Sequence, residues 1–242
     1  MPSVSEISSR YVDDMAALDP VRGERWGVAS DGTRLTDYSP EGVAAAADLL
    51  RRTVRELEAA TPTDEPERLG KGFLGDWMAA DLGVIEAGER ERLLSNIVGA
   101  PASTRSVFDL MDRSTPEAWE VIAARLAAVP GSMAGYRASL DAGLAHGRPA
   151  ARRQALVVAE QCATWAGTGP GAAAGSASDG GWFGTFAAGA DGVSDALRTR
   201  LTAAARSAAE SFADLAAWLR GTYALQATES DASGDERYRV WA

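Results

Sequence analysis

The chain has 242 residues, of which 46% are hydrophobic and 24% charged, an ordinary soluble balance with length enough for a sizeable core in one large or two small domains. Lys and Arg number 24 against 34 Asp and Glu, a net charge of −10, which argues against general nucleic-acid binding and against an anionic membrane surface, since both need concentrated basic side chains. One cysteine, Cys162, makes no internal disulfide and demands no oxidising compartment. No apolar run approaches the roughly 18 residues of a membrane span. The start, "MPSVSEISSRYVDDM", lacks the basic head and apolar centre of a secretory leader. A cytoplasmic protein without membrane or nucleic-acid partners is expected.

In chain order the dominant signal is helical. Val4, Ile7, Tyr11, Met15 and Leu18 recur at steps of three and four until Asp19-Pro20, which predicts a stop and then a loop carrying Gly23, Gly27 and Gly32. Ser39 and Pro40 are a cap and a first helical residue, predicting a helix from about Pro40 to Ala60. "TPTDEPERL" opens another, carrying Leu69, Phe73, Trp77 and Leu82. After a break at Gly99 and Pro101, a short helix carries Val107, Leu110 and Met111. Thr115 and Pro116 open the clearest element, with Trp119, Ile122, Leu126 and Val129 inward and Pro130-Gly131 expected to end it. Helices over Met133–Leu144 and Pro149–Ala166 follow.

Residues 167–181, rich in Gly, Ala and Ser, read as a flexible loop with Trp182 and Phe183 at its tip. A long helix then runs from about Val193 to Arg220, carrying Leu197, Leu201, Ala205, Phe212, Leu215 and Leu219. No alternating strand pattern and no fixed repeat stands out. The expected fold is all-α: an irregular antiparallel multi-helix array without substantial sheet, residues 1–242 forming a single helical domain.

Chemistry is sparse. Metal sites need grouped His, Cys and carboxylates, and this chain has one His and one Cys. His146 in "AHGRP" stands where an imidazole answers the carbonyls of a helix end. Cys162, among Val158, Ala159 and Trp165, reads as a small buried hydrophobe rather than a nucleophile. The acidic pairs Asp13-Asp14 and Asp64-Glu65 read as helix-end residues rather than an acid–base pair. Arg34 and Asp37 read as a loop salt bridge beside a helix cap rather than a substrate clamp. The glycines of 167–181 form neither a GxGxxG unit nor a phosphate loop. Trp182 and Phe183 need a surface to pack on: a neighbouring domain, the chain's own core or a ligand. Tyr238 and Trp241, three residues apart in "GDERYRVWA", would share one face of a helix and leave an apolar patch that a partner would cover.

Several stretches in order, "DGTRLTDYSPEG", "VFDLMDRSTPEAWEVIAARLAAVPGSMAGYRASLDAGLAHG", "AARRQALVVAEQCATWAG", "LAAWLRGTYA" and "GDERYRVWA", resemble the N-terminal half of the bacterial DUF885 family from about Tyr11 to Ala242. That family comprises large α-helical proteins regarded as metal-dependent hydrolases or peptidases. The resemblance implies a catalytic segment of the type His-Glu-x-x-Pro-Gly-His-His far downstream of the stretch matching "ERYRVWA". Nothing here corresponds to that segment, so no catalytic, cofactor or metal residue carries over. Zinc or another divalent metal is expected in full-length relatives, not in this chain. The resemblance thus implies a truncated N-terminal lobe, inactive alone and forming one wall of a substrate channel. Its expected partners are a C-terminal catalytic half or equivalent polypeptide and a peptide substrate. Trp182, Phe183, Tyr238 and Trp241 are the expected substrate or lobe-interface contacts. The alternative is a stand-alone helical module that binds a protein or peptide.

Overall fold

The computed structural model of the chain describes residues 2–28, 31–170, 172 and 179–241. Among these, ten helices follow in order: α1 (Val4–Leu18), α2 (Pro20–Trp26), α3 (Pro40–Ala59), α4 (Glu65–Glu86), α5 (Ala100–Leu110), α6 (Pro116–Ala145), α7 (Arg152–Trp165), α8 (Gly181–Ala188), α9 (Asp195–Gly221) and α10 (Gly234–Trp241). Short 3-10 turns lie at Glu89–Arg92 and Tyr223–Leu225. Among the described residues no strand forms, and an isolated bridge pairs Ala151 with Thr228. The fold is all-α, as the periodicities predict.

Helix starts follow from side chains that accept the unpaired amides of a first turn. Ser3 caps α1 in a reciprocal capping box with Glu6. Ser39, Asp64, Thr115 and Ser194 cap α3, α4, α6 and α9, each accepting one first-turn amide on its side chain.

Three expectations need correction. Pro20 does not merely end α1: the Asp19 carboxylate accepts the Arg22 amide at 2.9 Å, and Pro20 becomes the first residue of α2. Pro130-Gly131 does not end α6, which runs 30 residues straight through. An internal proline removes one backbone hydrogen bond and costs about 3 kcal/mol. Burial of Leu126, Val129 and Met133 on either side offsets that cost. Trp182 and Phe183 are not a loop tip but the first turn of α8, with Phe183 fully buried. Gly181 makes that turn possible, because a Cβ there would sit 2.3 Å from the Trp165 carbonyl oxygen. Of the expected loop 167–181, residues 171 and 173–178 lie outside the described residues.

Two apolar clusters organise the packing. The larger is built on α9, against which α6, α7 and α8 all pack. Ala204, Ala205, Ala208, Ala209 and Ala216 on α9 are buried, and their small side chains permit close helix approach. The smaller joins Ile7, Tyr11 and Met15 of α1 to Leu50 and Leu57 of α3 and Met78 of α4. The outer side of α4 is left apolar: Leu69 is exposed, and so is Phe73, at 72%.

A third contact ties irregular chain to helix. Arg125, Ser132 and Ser139, seven residues apart along α6, donate to the carbonyls of Arg34 (3.1 Å), Thr36 (2.8 Å) and Tyr38 (2.7 Å). Spacing by seven keeps the donors on one helix face, and spacing by two keeps the carbonyls on one side of an extended chain. At Gly135 a Cβ would stand 3.0 Å from the Ser39 nitrogen, so the absent side chain admits this segment to the helix.

Candidate functional site: a cavity walled by arginine and indole

Between α2, α4, the Glu89–Arg92 turn, the start of α5, Tyr136 of α6 and the end of α10 lies a cavity of about 560 Å³. The volume suits a small organic ligand or the end of a peptide. Its polar wall follows from the turn into α2. Asp19 is held by its capping role and by the Thr36 hydroxyl, and it pairs with the Arg22 Nε at 3.3 Å. Asp81 of α4 takes Arg90 at 2.6 Å and Arg22 at 3.6 Å. Both carboxylates are therefore committed. Arg25, one turn beyond Arg22, donates to the hydroxyls of Ser103 at 3.1 Å and Ser106 at 3.3 Å. Among the described residues no carboxylate lies within ion-pair range of it.

The apolar wall includes Trp26 and Trp77, whose rings stand 6.5 and 5.9 Å from the Tyr11 ring. The Arg22 guanidinium lies 5.8 Å from the Trp26 ring centre, a cation–π contact. Tyr38 also lines the space, and burial pushes its hydroxyl up to about 12, so it stays protonated and able to donate at any physiological pH.

The α10 wall is held by one carboxylate. Glu89 is 3% exposed and receives the Arg237 fork at 2.8 and 2.7 Å, the Trp241 indole at 3.0 Å and Arg92 at 3.4 Å. Burial alone would raise its pKa, but hydrogen bonds from Arg237 and Trp241, with the charges of Arg237 and Arg92, bring it below the ordinary carboxylate range. A depressed folded-state pKa means stabilisation that is present above the unfolded value and is lost as pH falls through the folded one. Acidification below the ordinary carboxylate range is thus expected to release α10. Glu89→Gln is expected to do so at neutral pH, raising amide hydrogen exchange over residues 235–241 at least about tenfold while leaving α6 and α9 protected. Unchanged exchange in α10 would show that Glu89 does not hold it.

The residues expected from sequence to touch substrate or partner do not gather here as a group. Trp241 lines the cavity and is 53% exposed, whereas Tyr238 on the same helix is 67% exposed and does not line it. Trp182 and Phe183 lie elsewhere: Trp182 stacks on Phe186 at 5.2 Å with Arg105 4.1 Å above it, and Phe183 packs on Phe212 at 5.0 Å. Arg34 and Asp37 form no salt bridge with each other: Arg34 donates to the Ala17 carbonyl and Asp37 accepts the Ser39 amide. His146 ends α6 and pairs with Glu91 at 3.0 Å, which also takes Arg148. Burial pushes the Cys162 thiol up to about 12, leaving it an inert core residue. Asp14 pairs with Arg52, Asp64 caps α4 and Glu65 pairs with Arg68.

Sequence reading missed Arg22, Arg25, Trp26, Asp81 and Arg90. The signal for the first three was available, since Asp19-Pro20 is an N-cap followed by a first helical residue as much as it is a stop. Among the described residues no three His, Cys, Asp or Glu side chains come together to hold a metal ion. The donors present do not fit the divalent metal that the resemblance implies for full-length relatives.

Fold and cavity together define an all-helical array with a basic, aromatic-walled cavity and, among the described residues, no metal-binding cluster. The chain belongs to the DUF885 family, bacterial proteins of unknown function, whose model matches residues 20–242. Among solved structures it is similar to a "putative lipoprotein of unknown function" from Shewanella oneidensis, with a TM-score of 0.69 and 13% identity. The match covers 93% of this chain and 38% of that one, and at such identity it shows the fold alone. No curated protein matches. Among the described residues no helix is long and apolar enough to cross a membrane.

Proposed function

We propose that this chain acts as the N-terminal, non-catalytic lobe of a larger DUF885-type hydrolase, its cavity forming part of the wall along which substrate is held. The observation that carries this reading is the cavity of about 560 Å³ walled by Arg22, Arg25, Trp26 and Trp77. The span of 38% of the structural neighbour is in keeping with a lobe, and the apolar outer side of α4, with Leu69 and Phe73, offers surface for a second polypeptide to cover. A cytoplasmic location belongs to the same reading, since the single buried cysteine, Cys162, demands no oxidising compartment.

The test is a matched pair of assays on the 242-residue chain: metal content, and hydrolysis of a mixed peptide library with and without chelator. The expected result is no stoichiometric metal and no chelator-sensitive cleavage. Stoichiometric zinc with chelator-sensitive cleavage would overturn the reading. That same exposed α4 face favours a second reading, a helical module that binds a protein or peptide by itself. Recovery of cleavage on adding a catalytic half would decide for the lobe.

A further inference from the structure

The cavity has more charge than its own pairing uses. Arg22, Arg25 and Arg90 face it with Asp19 and Asp81, and both carboxylates are taken by Arg22 and Arg90. One positive charge is left over, on Arg25, inside a chain whose net charge is −10. Such a surplus selects anions against the field of the whole molecule. The surplus guanidinium is also oriented, because two serine hydroxyls from α5 hold its Nη2 and leave its Nη1 and Nε donors for an anionic oxygen. Beside it stand the half-exposed indoles of Trp26 and Trp77, and Val98 lies at the rim. Flat apolar faces next to one cation call for a ligand with one charged end and one apolar end. Phosphate suits less well, since a dianion would have a single uncommitted arginine to meet.

From these observations we propose that the cavity binds a small organic carboxylate bearing an aromatic ring or a large apolar side chain. Arg25 pairs with the carboxylate, and Trp26 and Trp77 cover the apolar part. Two sources share this chemistry, the C-terminal end of a peptide and a free aromatic acid. The inference rests on the proposed role of the cavity as a substrate wall and adds the ligand class. It does not depend on whether the chain cleaves anything, so binding and cleavage assays fail separately.

The experiment is a titration of the whole chain by calorimetry with four probes: N-acetyl-phenylalanine, its amide, the tripeptide Ala-Ala-Phe and phenylacetate. N-acetyl-phenylalanine is expected to bind saturably, and the amide at least about tenfold more weakly, because it lacks the charge that Arg25 answers. Arg25→Gln is expected to cost the acid the same factor and to leave the amide unchanged. Arg25 is exposed, so this variant should keep the melting temperature of the parent. Trp77→Ala is expected to weaken acid and amide alike. Binding of Ala-Ala-Phe without phenylacetate identifies a peptide end, and the reverse identifies a free acid. Equal affinity for acid and amide, insensitivity to Arg25→Gln, or no saturable binding of any probe would overturn the proposal.

Discussion

Arg125→Ala is expected to cost about 3–5 kcal/mol of stability, among the largest losses available in this chain. Arg125 is 0% exposed in the middle of α6, and its guanidinium donates to the Arg34 carbonyl at 3.1 Å and pairs with Glu24 at 3.2 Å. Alanine removes the donor and leaves a void the size of the side chain. Two terms contribute, and a second substitution separates them. Arg125→Met keeps most of the apolar stem but offers no donor, so it should cost only the unsatisfied carbonyls and the unpaired Glu24, about 1–3 kcal/mol. Denaturant unfolding of the three proteins gives the answer. Equal losses for Ala and Met would mean that the hydrogen bonds carry the whole effect, and a loss below about 1 kcal/mol for Ala would show that the site relaxes around its absence.

Phe183→Ala is expected to cost about 3–5 kcal/mol, the usual range for truncating a buried phenylalanine. Its ring stands 5.0 Å from Phe212, 5.2 Å from Trp182 and 6.3 Å from Phe108, so the void would open where α5, α8 and α9 meet. Tyr238→Ala, on an exposed ring, should stay within about 0.5 kcal/mol. Sequence reading grouped these two aromatics as substrate or lobe-interface contacts, and thermal melts of the two variants separate them. A small loss at Phe183 would return it to the surface and reopen a contact role.

What the sequence made legible was whatever depends on local geometry. Caps at Ser39, Asp64 and Thr115 act within one turn, and each opens a helix where the pattern says. Pro130 misled because a proline's penalty is local and visible, while the offsetting burial of Leu126 and Met133 against α9 is tertiary and invisible in one sequence. Trp182 and Phe183 misled for the same reason: glycine-rich flanks suggest a loop, yet glycine is also what lets the α8 turn approach Trp165. The cavity was the least legible feature. Its walls come from residues as far apart as Asp19 and Trp241, and no spacing rule links them. Its one local clue was an acidic cap in front of a proline.

The bonds from Arg125, Ser132 and Ser139 to alternate carbonyls also work as a measuring device. Fourteen helical residues advance about 21 Å, whereas four extended residues advance only about 13 Å. The two scales therefore drift apart by roughly 8 Å along their shared length. Short serines meet the chain at two marks, and the long arginine reaches back to close the gap at the third. Position 125 thus demands reach as well as charge. Because Ser139 holds the Tyr38 carbonyl, the place of Tyr38 in the cavity wall is set by the register of α6.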